Sequence, residues 1–177
     1  MEKEEHIAKF KEGNISIILN SYNDLFSDFD PRPYNVRALS DDFLVECKKA
    51  TVEKDEQIRL RFMIPRKNRN AENEIEIKKR LKDYFKKYFY KKESEIKKLK
   101  RSGFLWFFCG AVVMTLGAFL LRYEGFVFDI LITILEPAGW FFFWEGLAKV
   151  VIEPKQKMPD HEFYKKMSDS KIVFVDY

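Results

Sequence analysis

Four ionisable residues interrupt an apolar stretch in the second half of the chain: Asp129, Glu136, Glu145 and Lys149. A carboxylate in the hydrocarbon of a bilayer is costly unless it has a partner cation or contacts water. Lys149 follows Glu145 at the spacing at which two side chains on a helix form an ion pair. Alternatively, Glu145 and Glu136 face a water-filled pathway for ions. The sequence leaves both interpretations open.

Two apolar segments must position these side chains, one over residues 103–121 and one over residues 126–152, with a connecting loop at 122–125. The first is about 28 Å long as a helix, close to the hydrocarbon thickness of a bilayer. In the second, Glu136 precedes Pro137, an arrangement suited to ending one helix and starting another, so the sequence leaves open whether this segment is one kinked helix or two pieces. If the crossing piece starts at Pro137, Glu145 lies about 10 Å from its cytosolic end.

Small residues form a stripe on each apolar segment. Three glycines recur every seven residues in the first segment, and two have the same spacing in the second: Gly103, Gly110, Gly117, Gly139 and Gly146. Such stripes let helix backbones approach closely in lipid. They are consistent with a tight hairpin within one chain and with assembly between chains, and we expect both, so the sequence predicts a homo-oligomer in contact with membrane lipids.

Basic residues predict the orientation. Residues 78–101, just before the first apolar segment, hold 12 Lys or Arg and 3 Asp or Glu, and further lysines follow the second segment. Because positive charge stays on the cytosolic side, both termini are predicted to be cytosolic and the protein to be multi-pass in the inner membrane. Residues 1–11 lack the apolar core of a signal peptide.

The remaining segments predict a small α/β domain. Residues 15–19 and the alternating segment 58–64 favour strands, residues 40–50 favour a short amphipathic helix, and residues 171–177 favour a third strand that returns to the same sheet. The fold class is therefore α+β. We predict a cytosolic domain over 1–69, a basic stalk helix over 70–102, a two-helix transmembrane hairpin over 103–152 and a cytosolic tail over 153–177.

Two segments offer a candidate ligand site in the cytosolic part. Residues 28–34 (DFDPRPY) form a turn stiffened by two prolines, and the stalk interleaves aromatic residues with lysines. The first can serve as a structural turn and the second as a headgroup-binding surface. Together they also present groups suited to a nucleotide or nucleic acid. The candidate residues are Asp28, Asp30, Arg32, Arg37, Lys86, Lys87 and Tyr88.

No catalytic or metal-ligating set is evident in the sequence. It has two histidines, near the chain ends, and lacks a Gly-rich phosphate loop and a Ser/His/Asp or Cys/His arrangement. The expectation is a protein without enzymatic activity, metal or cofactor. Cys47 and Cys109 fall in different predicted segments, so we expect both to be unpaired.

The segments LFSDFDPRPYNVRALSDDF and GWFFFWEGL, with a strand ending at Pro65 and a basic helix entering an apolar hairpin, resemble a widespread family of small prokaryotic two-pass membrane proteins. The resemblance covers nearly the whole chain and implies no particular activity. The architecture is also similar to that of two-pass membrane effectors of antiphage systems, in which a cytosolic domain senses a signal and the membrane part depolarises the cell.

These patterns predict a gated channel or membrane-disrupting effector, controlled by a ligand or partner at its cytosolic domain. The alternative is a membrane anchor or scaffold that recruits a protein partner to the inner surface of the membrane. A nucleic-acid-binding sensor is a third possibility.

Overall fold

The computed structural model describes residues 14–52 and 58–177. Within these ranges the chain divides into two compact units. One, the sheet domain, comprises residues 14–52, 58–89 and 162–177, and the other, the helical hairpin, comprises Tyr90–His161. The expectation for residues 1–11 lies outside the described residues.

The sheet domain contains three parallel strands in the order β1 (Asn14–Ile18), β2 (Arg59–Ile64) and β3 (Lys171–Asp176). Leu60 of β2 lies opposite Ile15 of β1 and Ile172 of β3. Alternate residues of a strand point to opposite faces, and the buried apolar residues share one face of the sheet: Ile15, Leu60, Phe62, Ile64, Ile172 and Phe174. The three strands predicted from sequence are therefore present, and the mixed helix and strand content agrees with the predicted class.

Helix α1 (Asp41–Val52) begins directly after Ser40 and connects β1 to β2. Parallel neighbours require such a crossover. The Phe43 ring lies 5.9 Å from the Phe62 ring of the central strand.

Cys47 is fully buried beneath the helix, and burial raises the pKa of its thiol to about 12, which makes it an unreactive core side chain. Cys47 and Cys109 are both free, as expected.

Helix α2 (Ala71–Leu120) belongs to both units. In its first part Ile77, Leu81 and Phe85 are fully buried in the core of the sheet domain. The stalk over 70–102 stays a prediction. An apolar stripe at a spacing of four residues suits a helix that covers a sheet as well as a stalk, so the pattern did not distinguish them.

The hairpin consists of the remainder of α2, a turn over residues 121–125 and a second long helix. The second helix runs as α3 (Phe126–Leu147), a π-helical turn (Ala148–Ile152) and α4 (Glu153–Asp169), which leads into β3. Gly125 before α3 has a φ of +136°, a conformation that few other residues adopt. The hairpin is thus inserted in the crossover between β2 and β3.

Both long helices, Ala71–Leu120 and Phe126–Asp169, are long and apolar enough to cross a membrane. Only 17% and 6% of their apolar windows are buried, whereas the core helix of a soluble protein is mostly buried. Pro137 lies inside α3, so of the two alternatives that the sequence leaves open, the structure has one helix at this position. Proline removes one backbone hydrogen bond, and apolar helices tolerate that loss when neighbouring groups compensate for it.

The central strand should dominate the stability of the sheet domain. Replacing Phe62, which is fully buried, with alanine should lower the free energy of unfolding by about 3–5 kcal/mol because it leaves a cavity between α1 and β3. The matched control is Ile18→Ala in β1, whose side chain is 66% exposed, with an expected change within about 0.5 kcal/mol. Chemical denaturation in detergent measures both, and equal losses would contradict this core.

Candidate functional site

The two helices of the hairpin contact each other at glycines. A Cβ atom on Gly110 would lie 2.5 Å from the backbone nitrogen of Phe143, and one on Gly139 would lie 2.6 Å from Cγ of Met114. A Cβ atom on Gly103 would meet the carbonyl oxygen of Gly146 at 2.8 Å. These distances are shorter than van der Waals contact, so only glycine allows the observed approach of the helices.

This packing distinguishes the two interpretations of the glycine stripes. Gly103, Gly110, Gly139 and Gly146 are all in contact within one chain. Gly117 differs, since a Cβ atom there would have ordinary contact with Cβ of Leu135 at 3.8 Å. Four of the five glycines are therefore explained by the intrachain hairpin and do not support assembly between chains, which stays a prediction.

Glu145 and Lys149 form the ion pair that their spacing allows. Lys149 Nζ lies 2.6 Å from Glu145 Oε1, and the lysine side chain is only 19% exposed. The same Nζ lies 4.6 Å from the centre of the Trp106 ring on α2, within range of a cation–π interaction. Glu145 thus has a cationic partner on its own helix, and that cation has an aromatic partner on the neighbouring helix.

The continuous second helix changes the depth of both glutamates in a bilayer. Measured from Phe126, Glu136 lies about 15 Å along the helix and Glu145 about 28 Å, in a hydrocarbon layer about 30 Å thick. The sequence-based depth of Glu145 assumed a helix that begins at Pro137, whereas Pro137 lies inside α3. Counted along α3, Glu136 is the acid nearest the middle of the helix.

Glu136 belongs to an exposed polar stripe on α3. Asp129, Thr133 and Glu136 follow one another at spacings of four and three, so they share one face of the helix, and all three are exposed. Asp129 lies in the first turn, where the helix dipole favours a carboxylate. Among residues 14–52 and 58–177, Glu136 has no hydrogen bond or ion pair. Sequence analysis missed Thr133, although its spacing was evident.

Ion pairs join the two helices at the polar end of the hairpin. Lys92 Nζ lies 3.2 Å from Asp160 Oδ2, and Lys157 Nζ lies 3.8 Å from Glu95 Oε2. Lys97 pairs within α2 with Glu93 at 3.0 Å. The basic segment is therefore partly neutralised by acids on both helices, which a count of charges along α2 alone did not reveal.

In the predicted polar site at residues 28–34, Asp30 accepts hydrogen bonds from groups of its own loop, Arg32 and the Ala38 amide. We call this network the clasp. Both nitrogens Nε and Nη2 of Arg32 donate to Asp30 at 2.8 Å, and the Ala38 amide donates to Asp30 Oδ2 at 2.6 Å. These donors hold the pKa of Asp30 well below its usual range. Arg37 donates to the Asn23 side chain and the Ser27 carbonyl. These groups close the loop on itself, while Asp28 is exposed.

The structure does not unite the stalk residues with this loop. Lys86 and Lys87 are exposed on α2, and no hydrogen bond or ion pair within the described part of the chain connects them to residues 28–37. The Tyr88 ring packs 4.4 Å from Tyr84 and 5.3 Å from Tyr164 on α4. Tyr88 is therefore a packing residue between two helices of the sheet domain. Burial raises the pKa of Tyr84 in the same cluster.

The chain was compared with protein-family models, curated proteins and solved structures. None of the three comparisons found a match.

A methyl group at a glycine contact should destabilise the hairpin. Gly146→Ala would place Cβ 2.6 Å from Cα of Phe107, and because that atom is backbone, the helices must separate. We expect a loss of about 1–3 kcal/mol, measured as a lower unfolding temperature in detergent. Gly117→Ala is the matched control and should change little, since its nearest contact is 3.8 Å. A similar loss in both variants would contradict the interlocked packing.

Asp30 should anchor the loop through Ala38. Asp30→Asn weakens the acceptor for the Ala38 amide, so that amide should exchange with deuterium faster than in the unchanged protein. Because the pKa of Asp30 is lower in the folded state, its contribution to stability is present above the unfolded pKa of about 3.9 and is lost as pH falls through the folded value. The difference between the two proteins should therefore vanish only in strong acid. Equal exchange at neutral pH would refute the clasp.

Proposed function

We propose that the chain assembles as a homo-oligomer in the inner membrane and acts as a gated channel or membrane-disrupting effector. In this arrangement both termini and the sheet domain are cytosolic, and the exposed stripe of α3 faces a shared pathway for ions. The architectural resemblance to antiphage effectors extends this proposal to a role in defence. The role requires no catalytic residue.

One observation carries the proposal: Glu136 is an exposed carboxylate at mid-depth of an apolar helix, with Thr133 one turn away on the same face. Ionisable residues within membrane spans almost always face the interior of a bundle or a water-filled cavity. One hairpin leaves this stripe on its outside. A ring of hairpins with their stripes turned inward gives each Glu136 access to water.

The topology supplies a route by which the sheet domain controls such a pathway. Both helices of the hairpin continue into the core of that domain, α2 through Leu81 and Phe85, and α4 through Phe163 and Met167. A ligand or protein partner that shifts these helix ends acts on the same two helices that continue into the hairpin. Nucleotides, nucleic acids and cytosolic proteins are the candidate partners, with lipid around the hairpin.

A specific observation also favours the second candidate, a membrane anchor or scaffold. The hairpin is internally complete at the glycine contacts and at the Glu145–Lys149 pair. A hairpin packed in this way is a stable anchor without any further copy. The sheet domain would then recruit its partner at the inner surface of the membrane, and an unrelated two-pass hairpin would replace the native one without loss of function.

The two candidates differ in the effect of Glu136→Gln. In liposomes containing the purified protein, with a cytosolic nucleotide and oligonucleotide mixture, the proposed channel should conduct ions. Removing the mid-depth charge should reduce that flux at least about tenfold, because the pathway loses its only carboxylate far from the interfaces. Glu124→Gln, which removes an exposed carboxylate in the connecting turn, is the matched control and should leave the flux unchanged.

Glu145→Gln should also preserve conduction, since the charge of Glu145 is already paired with Lys149. A Glu136→Gln protein that conducts as well as the unchanged protein would refute the assignment of the pathway. A membrane that stays silent under every ligand, with a correctly assembled protein, would favour the anchor.

A further inference from the structure

A surface groove lies where the basic part of α2 meets its apolar part. Its volume is about 840 Å³, and its polar end is formed by Lys98, Arg101 and Ser102. Its apolar end includes Leu105 and Phe108, whose side chains are 64% and 67% exposed. All of these residues belong to the hairpin and lie on the side of α2 away from the glycine contacts.

The two cations of this groove, Lys98 and Arg101, differ from most neighbouring cations in their lack of acidic partners within the described residues. Lys92, Lys97, Lys149 and Lys157 all have acidic partners within the hairpin. Lys98 and Arg101 have no acidic partner within the ranges that the structure describes. Two uncompensated positive charges thus lie beside exposed apolar surface, at the level where α2 would enter the hydrocarbon of a bilayer.

We infer that this groove binds a phospholipid with an anionic headgroup. The spacing of Lys98, Arg101, Leu105 and Phe108 places the four side chains on one face of the helix. From Arg101 to Leu105 the helix rises about 6 Å, and from Arg101 to Phe108 about 10 Å. The phosphate lies between Lys98 and Arg101, within reach of the Ser102 hydroxyl, and an acyl chain follows the helix past Leu105 to Phe108.

The charge of the groove selects the headgroup. Arg presents a planar fork of donors to phosphate oxygens, and Lys adds a mobile point charge. A zwitterionic headgroup brings its own cation, which competes with this pair, whereas phosphatidylglycerol brings none. Each well-placed Lys or Arg near an anionic surface corresponds to about a fivefold gain in binding, so two give a preference of roughly 30-fold at most.

Trp106, between Leu105 and Phe107 on the same turn, serves as the reporter. With Trp140→Phe and Trp144→Phe, it is the single tryptophan, because the chain has three. The full-length protein is reconstituted into vesicles in which dibrominated phosphatidylglycerol or dibrominated phosphatidylcholine replaces the unlabelled lipid in steps. Bromine quenches tryptophan only in contact, so the quenching curves give the relative binding constant of the two lipids near Trp106.

We expect phosphatidylglycerol to be preferred by about 10- to 30-fold, and the double variant Lys98→Gln with Arg101→Gln to reduce the preference to less than about threefold. Lys79→Gln with Lys82→Gln, which removes the same charge from exposed positions of α2 in the sheet domain, should retain it. Equal quenching by both lipids would overturn the inference. A preference that survives Lys98→Gln with Arg101→Gln would also overturn it. So would a preference that both pairs of substitutions abolish, since the overall charge of the protein would then explain it.

A second measurement avoids the tryptophan changes. Native mass spectrometry of the protein with all its tryptophans, released from a mixture of the two lipids, should show retained phosphatidylglycerol in excess of phosphatidylcholine, and Lys98→Gln with Arg101→Gln should remove the excess. The inference requires that the hairpin enter a bilayer, but not that it conduct ions. Glu136→Gln should keep the lipid preference while losing flux, so failure of the lipid site and failure of the channel are distinguishable.

Discussion

The parallel pairing of β3 with β2 is the constraint on which the rest of the structure depends. Two parallel neighbours cannot be joined by a tight turn, so the chain must leave one end of the sheet and return to the other through a crossover. Here that crossover is the whole helical hairpin, from α2 to α4. Both chain ends of the hairpin therefore lead into the one sheet domain, whose core includes residues of α2 and of α4.

Within the hairpin, four glycines and a set of polar side chains have different roles. The glycines fix the separation and register of the helices, and the paired Lys149, held between Glu145 and Trp106, occupies the end where water begins. Ion pairs then continue the same antiparallel contact beyond the apolar part. The polar stripe of α3 belongs to neither set and faces outward. In this stripe the Thr133 hydroxyl donates to the Asp129 carbonyl at 2.7 Å, whereas Glu136 has no hydrogen bond or ion pair within the described residues. The contrast between the paired Glu145 and the unpaired Glu136 motivates the proposal of an assembly.

Sequence reasoning was most successful where one residue period determined the answer. The alternation in β2 and the two apolar segments could be predicted, because period two fits only a strand and a long apolar segment fits only a few structures. It could not decide where two structures share a pattern. The stripe of Ile77, Leu81 and Phe85 suits a stalk and a sheet-covering helix equally, and Pro137 breaks many helices but not this one. The depth of Glu145 and the closed clasp at Asp30 depend on helix ends and long-range contacts that no local pattern encodes.

The position of β3 also sets the order of events during synthesis. The third strand follows both apolar helices along the chain and pairs with the central strand, so within the described residues a nascent sheet has β1 and β2 alone until both helices have left the ribosome. Two strands alone make a marginal sheet. The domain therefore completes its core only after the hairpin has brought the C-terminus back, which couples the maturation of the sheet to the correct placement of the helices. A chain whose helices fail to pair would carry an unfinished sheet with an open edge, the kind of surface that cellular proteases and chaperones recognise.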